Sequence, residues 1–375
     1  MIITKTPFRV SFFGGGCDLP GYFVNKESLI LSTTIDKYAY VNVRHLPKFF
    51  DYTNEIVYSK IEQVKNESEI IHPLVRKCME MLDMHEMRVC YDADLPARTG
   101  LGTSSSFAVG MLNAFYALKA KYKDNKILSS DAILLERVLC KEAGGFQDQI
   151  AASFGGFNKI TFKQNSFTKE ELDLLSGVST ANLSEEERKE FSSKISKSYE
   201  VVKVDIEDDK KNRFKKNLLL YFTGIVRNSF EIQTDVSKSV RQVDKEKTMD
   251  EMNHLSHAAL KFFESNKLSD LDEVGRLLDE TWKLKRSISN RISNNTIDEL
   301  YDKAIKNGAL GGKLLGAGGG GFLLFYVPEE KQDEFRKSFA NLLEIPFNFD
   351  EYGTKLIYNV PETDWDKGKW LNNFT

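Results

Sequence analysis

The fold turns on Pro96-Ala97-Arg98-Thr99-Gly100-Leu101-Gly102-Thr103-Ser104-Ser105-Ser106 and on the apolar run that follows it. From 107 to about 123, apolar residues (Phe107, Val109, Met111, Leu112, Phe115, Tyr116, Leu118) recur at mixed three- and four-residue spacings, which predicts a helix. A glycine-rich turn opening into a helix N-terminus is an anion site. Gly100 and Gly102 lack a Cβ, so backbone amides can come close to a ligand. The first-turn amides have no intrahelical acceptor, and the helix dipole favours negative charge there. The hydroxyls from Thr103 to Ser106 can reach phosphate oxygens or a metal, which is more than a serine N-cap requires.

The 375 residues exceed the roughly 250–300 at which single cores stop growing, so two domains are expected, divided as 1–205 and 206–375. With 52 basic and 55 acidic residues the net charge is −3, which gives no reason to expect a nucleic-acid partner. Cys17, Cys78, Cys90 and Cys140 are scattered, without zinc-ligand spacing, and read as reduced thiols of a cytoplasmic protein. The start is too short in apolar residues for a signal peptide, and no stretch approaches a membrane span. Nothing in the sequence speaks to oligomeric state.

Along the chain, 2–13 reads as a strand running into Gly14-Gly15-Gly16-Cys17-Asp18, a tight turn that serves either a ligand or a hairpin. Residues 29–44 read as paired strands, 71–84 as a helix and 87–91 as a strand. A helix is expected over 131–142, stopping at Gly144-Gly145. Glu136 on it is either a functional carboxylate or a solvent-facing partner of Arg137. A strand follows at 157–162. The charged stretch after Ser184 is expected as a surface helix, and 207–211 as a loop. Residues 217–223 form a buried strand, and long helices run from about 229 to 292. Within them Trp282-Lys283-Leu284-Lys285-Arg286 is either an amphipathic face with solvated lysines or a substrate-anion contact. The glycine stretch 311–321 contains Gly316-x-Gly318-x-x-Gly321, but it is expected after a helix (296–308) and before a strand (322–327). A dinucleotide site needs a strand before and a helix after, so that reading is excluded. A helix at 329–343 and a strand at 356–360 complete the expected C-terminal half.

Three of these stretches carry a family likeness. Pro96-x3-Gly100-Leu101-Gly102-Thr103-Ser104 resembles the nucleotide-binding motif of the GHMP kinases, the family of galactokinase, homoserine kinase, mevalonate kinase and phosphomevalonate kinase; Thr103 replaces the usual first serine and keeps the hydroxyl. Arg9-Val10-Ser11-Phe12-Phe13-Gly14-x3-Asp18 is similar to the first motif, with Gly15-Gly16 where Glu-His is common. The 311–321 loop looks like the third. Gly145-Phe146-Gln147-Asp148-Gln149 resembles the segment with the catalytic aspartate, and the spacing of 12 from Glu136 is that of the family's metal-binding glutamate. The likeness implies an α+β, two-domain fold with the active site in the cleft between domains, and the use of ATP and Mg²⁺. Pro96, Arg98, Thr99, Gly100, Leu101, Gly102, Thr103, Ser104 and Ser105 would bind ATP. Ser104 and Glu136 would hold Mg²⁺. Asp148 would act on the acceptor hydroxyl, with Arg9 steadying it and the transferring phosphoryl. Asp18 would hold the substrate, with Gly15, Gly16, Cys17, Gly318 and Gly319 around it. Part of 165–198 would be an insertion.

In detail the motifs resemble a branch that phosphorylates the anomeric hydroxyl of a heptose 7-phosphate for nucleotide-activated heptose and surface polysaccharide. A phosphorylated substrate implies a second anion pocket, for which Arg44, Lys48, Arg98, Arg227, Lys285 and Arg286 are candidates. The alternatives are a free-sugar anomeric kinase of fucokinase or galactokinase type and a non-catalytic sugar sensor.

Overall fold

The structure, a computed structural model, describes residues 1–164, 167–225, 243–265, 267–268 and 270–360. Its strands in chain order are β1 (Ile2–Phe13), β2 (Ser28–His45), β3 (Asn54–Val57), β4 (Ile61–Val64), β5 (Met87–Ala93), β6 (Asn158–Phe162), β7 (Tyr199–Lys203), β8 (Leu218–Phe222), β9 (Gly311–Leu314), β10 (Phe322–Tyr326), β11 (Leu343–Glu344), β12 (Phe349–Asp350) and β13 (Lys355–Asn359). They form two sheets. The larger runs β13-β1-β2-β5-β3-β4, with β6, β7 and β12 joined through β2; the smaller runs β11-β8-β10-β9.

Several expectations change here. Residues 29–44 are one continuous strand, β2, not a pair: its partners β1, β5, β6 and β12 come from elsewhere in the chain. Residues 208–216 are the helix Asp208–Lys216 rather than a loop, held by the buried Phe214 and by Lys210, which donates to the Phe262 and Ser265 carbonyls. The strands at 349–359 do not complete the second half; β12 pairs with β2 and β13 with β1. The glycine stretch begins as β9, so the loop that follows is a hairpin between β9 and β10, still with no helix after it.

Strand alternation on β1 organises the centre. Phe8, Val10 and Phe12 are fully buried on one side, in a cluster with Leu220, Leu278, Leu324 and other residues of the smaller sheet and its helices. Arg9 and Ser11 alternate with them and line a cavity between the two sheets. The helix Thr103–Leu118 is buried along nearly its whole length, as an all-round apolar helix must be, and packs on β1 and β2. The segment around 165–198 supplies two helices, Lys169–Leu175 and Glu185–Lys197, each started by a capping box (Thr168 with Glu171, Ser184 with Glu187). Among the described residues, no helix is long and apolar enough to cross a membrane.

Candidate active site

The central loop is anchored before it meets any ligand. Gly102 caps the helix Thr103–Leu118 with φ 73°, a left-handed turn that suits glycine. Gly100 has φ +87°, and a Cβ there would lie 2.3 Å from the Leu315 carbonyl oxygen; a Cβ on Gly316 would lie 2.4 Å from Gly100 Cα. The two glycine loops therefore touch backbone to backbone. Thr99 is buried and donates to the Pro96 carbonyl, whereas Arg98 is exposed.

The hydroxyls divide their work. Ser104 Oγ, on an exposed residue, donates to Glu136 Oε1 at 2.9 Å, and the buried Ser105 Oγ donates to Glu136 Oε2 at 2.8 Å. Ser106 Oγ donates to the Pro7 carbonyl. Glu136 is thus not a surface partner of Arg137: it is 1% exposed and also receives Gln149 Nε2. Adjacent helical residues do not face each other. Arg137 instead donates to the carbonyls of Gly145, Glu142 and Ala143. The expected helix over 131–142 starts earlier, at Asn125 on the Asp124 cap, and passes at Leu134–Leu139 into a π turn. Such turns are rare and frequent at functional sites, and this one carries Glu136. Burial and the neighbouring Glu136 push the Glu142 carboxyl up from its ordinary range.

Arg9 joins the first motif to the others. Its Nε and Nη2 meet Asp148 Oδ1 and Oδ2, each at 2.7 Å, and its Nη1 donates to the Gly100 carbonyl at 2.6 Å. This fork-to-fork pairing fixes the plane of the carboxylate. Asp18 lies beside it, 3% exposed, accepting the Gly16 amide at Oδ1 and the Gln147 amide at Oδ2. Burial raises its proton affinity above that of an ordinary aspartate, against the lowering effect of the Gln147 amide. Gly145 makes room for it: a Cβ there would sit 1.8 Å from Asp18 Oδ2.

Of the expected substrate segment, Gly15 and Gly16 line the cavity. Cys17 does not; its buried thiol points to the Met249 carbonyl, and burial pushes it up. Gly318 and Gly319 are also turned away, packed on Ile292, and Gly316 and Ala317 take the wall instead. Their backbone follows the β9–β10 hairpin, which the sequence reading did not contain. Of the basic candidates, only Lys285 reaches the cavity among the described residues. Lys48 pairs with Glu86 and Arg286 with Asp298 at the surface, Arg44 stands opposite Arg88 in the sheet, and Arg227 lies outside the described residues. Lys313 and Gln147, not singled out before, line the cavity too. The side-chain oxygens of Ser11 and Gln147 are buried there without a partner.

Known proteins resemble this chain over both of its halves. The family model described as GHMP kinases N terminal domain matches residues 69–156, and GHMP kinases C terminal matches 259–344. The chain is 27% identical over 342 residues to D-glycero-alpha-D-manno-heptose 7-phosphate kinase of Campylobacter jejuni, covering 88% of this chain and 91% of that one. It is 23% identical to galactokinase of Thermococcus kodakarensis, covering 90% and 92%. A solved D-glycero-D-manno-heptose 1-phosphate kinase from Bacteroides thetaiotaomicron superposes with a TM-score of 0.70 at 22% identity, covering 96% of this chain and 100% of that one. With both family models matched in order, and with the first and third glycine motifs lining one cavity while Gly100 of the central loop abuts Gly316 in its wall, the chain carries the N-terminal and C-terminal domains of the GHMP kinases and is an ATP-dependent phosphotransferase.

Proposed function

We propose that the acceptor is a sugar carrying a terminal phosphate, of the heptose 7-phosphate class, and that the new phosphate is placed on its anomeric hydroxyl. The observation that carries a sugar acceptor is the wall of the cavity beside the Arg9–Asp148 pair. There the Ser11 and Gln147 oxygens have no protein partner and Asp18 keeps lone pairs beyond its two amide bonds. Buried polar groups are rarely left unmatched, and a polyhydroxylated ligand supplies what these lack. Likeness to the Campylobacter jejuni enzyme favours the heptose 7-phosphate class. Beside this cavity's helix Asp270–Ile288, a basin lined by Lys283, Arg286, Ser289, Asn290 and Asn294, with Asp298 paired to Arg286, is where a second anion would have to compete for that arginine.

In this reading the Gly100–Ser105 backbone holds the ATP phosphates at the helix N-terminus. Asp148 takes the proton of the attacking hydroxyl, and Arg9 keeps its carboxylate in plane. Asp18 orients the sugar hydroxyls. Ser104 and Glu136 are the residues that would hold Mg²⁺. They offer a hydroxyl and a carboxylate oxygen 2.9 Å apart, a hard all-oxygen set that suits this ion, reached through Oε1 because Oε2 is engaged by Ser105 and Gln149. When bound, Mg²⁺ supplies charge neutralisation at the ATP phosphates.

Two measurements test this. The kcat/KM for heptose 7-phosphate should exceed that for the unphosphorylated heptose by about 10²-fold or more, as for a site whose polar groups lose their partner. Equal values would overturn the phosphosugar reading in favour of a free-sugar kinase. Glu136→Ala should raise the Mg²⁺ concentration for half-maximal rate by about tenfold or more. An unchanged Mg²⁺ titration would leave Glu136 as a purely structural anchor for Ser104, Ser105 and Gln149.

A further inference from the structure

Two lysines stand in the cavity wall with most of their donors unused. Lys285, from the helix Asp270–Ile288, is 8% exposed, and Lys313, from β9, is 1% exposed. Lys285 Nζ donates to the Gly316 carbonyl at 2.6 Å, and Lys313 Nζ to the Phe12 carbonyl at 2.8 Å. Each ammonium has three donors and a single protein acceptor. No described carboxylate forms an ion pair with either. The arginines of the same cavity are committed differently: Arg9 to Asp148 and Gly100, Arg137 to three carbonyls. A buried cation without a counter-charge is costly, and two of them converging on one cavity are costlier still. Their anchors place them at the reacting end. Gly316 abuts Gly100 of the nucleotide loop, and Phe12 lies on β1 between Ser11 and the Gly14 turn.

We propose that Lys285 and Lys313 grip the phosphoryl group as it passes from ATP to the acceptor, and that they, rather than Arg9, carry its charge. The bond from the γ-phosphorus to the β–γ bridging oxygen breaks, and that oxygen leaves with ADP, taking the electron pair. The acceptor oxygen bonds to that phosphorus, and its proton goes to Asp148. The equatorial phosphoryl oxygens keep their negative charge throughout, and the lysines meet it with donors fixed in a buried wall. The proposal rests on the placing of transfer at Asp148, not on the choice of sugar. Proton affinities are consistent with a site awaiting an anion. Burial, with Arg9 adding to it, brings Lys285 down to about 8 against the opposing pull of Asp18 and Asp148. Burial, then Lys285 and Arg9, push Lys313 well below the ordinary lysine range. An arriving polyanion restores both charges.

The test uses Lys285→Met and Lys285→Arg in the full chain, with kcat, KM, melting temperature and the pH profile measured. In Lys285→Met, kcat should fall by about 10²–10³-fold, the effect of removing one preorganised donor. The fall should be the same for phosphorylated and unphosphorylated acceptors, with KM values held within about threefold. Melting temperature should not fall, since a lone buried ammonium gives way to an apolar stem. Arg9, Asp18 and Asp148 face Lys285, and so does Lys313 from β9. Because the charged amine is the active form, wild-type kcat/KM should decline as pH rises past about 8. Lys285→Arg should recover part of the rate and move that decline upward. A folded Lys285→Met enzyme with wild-type kcat overturns the proposal. So does a loss confined to the KM of the phosphorylated acceptor, which would give Lys285 to the acceptor's own phosphate. If the wild type uses neither heptose, the sugar reading fails, and the same kcat comparison on the acceptor it does use still decides the role of the lysine.

Discussion

Asp148→Asn should lower kcat by about 10²–10⁴-fold, the range for losing a general base, with little change in ATP affinity. The substitution is nearly isosteric, and the residue is only partly buried, with a side chain 20% exposed. What it removes is specific: a carboxylate held by two 2.7 Å bonds from Arg9, facing the cavity and free to accept a proton. An asparagine amide nitrogen cannot accept from Arg9, so the pair loses one arm of its fork as well as the base. ATP should still bind, because the Gly100–Ser105 backbone does not depend on that carboxylate. The decisive comparison is single-turnover rate against nucleotide affinity in the same preparation. Wild-type turnover from a folded mutant would remove Asp148 from the chemistry.

A comparably large effect is expected from Gly100→Ala, at a residue that would seem merely to give a ligand room. Alanine there would have to hold φ +87° and place its Cβ 2.3 Å from the Leu315 carbonyl oxygen. The backbone strain alone costs about 1–3 kcal/mol, and the contact is with another main chain, which has little freedom to yield. The loops at 99–102 and 315–321 must then separate, and Arg9, which holds the Gly100 carbonyl, must lose its anchor. Melting temperature should drop by about 3–10 °C, and kcat/KM for ATP should fall by about 10²-fold or more, as for misplacement of reacting groups. Gly21→Ala is the control, since a Cβ there meets nothing within 4 Å. If Gly100→Ala behaves like Gly21→Ala, the contact between the two glycine loops is not what constrains the site.

What the sequence made legible was local. The central loop and its helix, the strand Ile2–Phe13, and the Ser184 cap are each written in a short window of pattern and spacing, and each stands in the structure. The helix Asp208–Lys216 escaped notice because seven of its nine residues, Asp-Asp-Lys-Lys-Asn-Arg-Phe-Lys-Lys apart from Asn212 and Phe214, are charged, and its single apolar anchor gives no periodicity. β9 was hidden because Gly311-Gly312 reads as a loop until β10 pairs with it. Lys285 could not be decided from spacing: whether an amphipathic lysine is solvated or buried depends on what packs over it, here the β9–β10 hairpin, whose Gly316 carbonyl accepts from Lys285. Lys313, quoted only as part of the glycine stretch, carries no signal of its burial in its neighbours, and it is buried. Glu136 was ambiguous for a similar reason, since its partners Ser104, Ser105 and Gln149 are distant in sequence or across a turn.

The pairing of β13 with β1 has a consequence for how the molecule is born. Ile2 lies opposite Asn359, and the Met1 amino group donates to the Val360 carbonyl across a separation of 359 positions. On the ribosome β1 emerges first and finds β2 soon after, but one of its edges stays bare until nearly everything else described here has been made. That edge, beginning Ile2-Ile3-Thr4, is a ready template for pairing with a neighbouring nascent chain. Closing a contact of such length is slow, because the chain entropy is lost before the ladder forms. Emergence of residues 355–359, rather than of the first sheet strands, therefore sets when that edge can be covered.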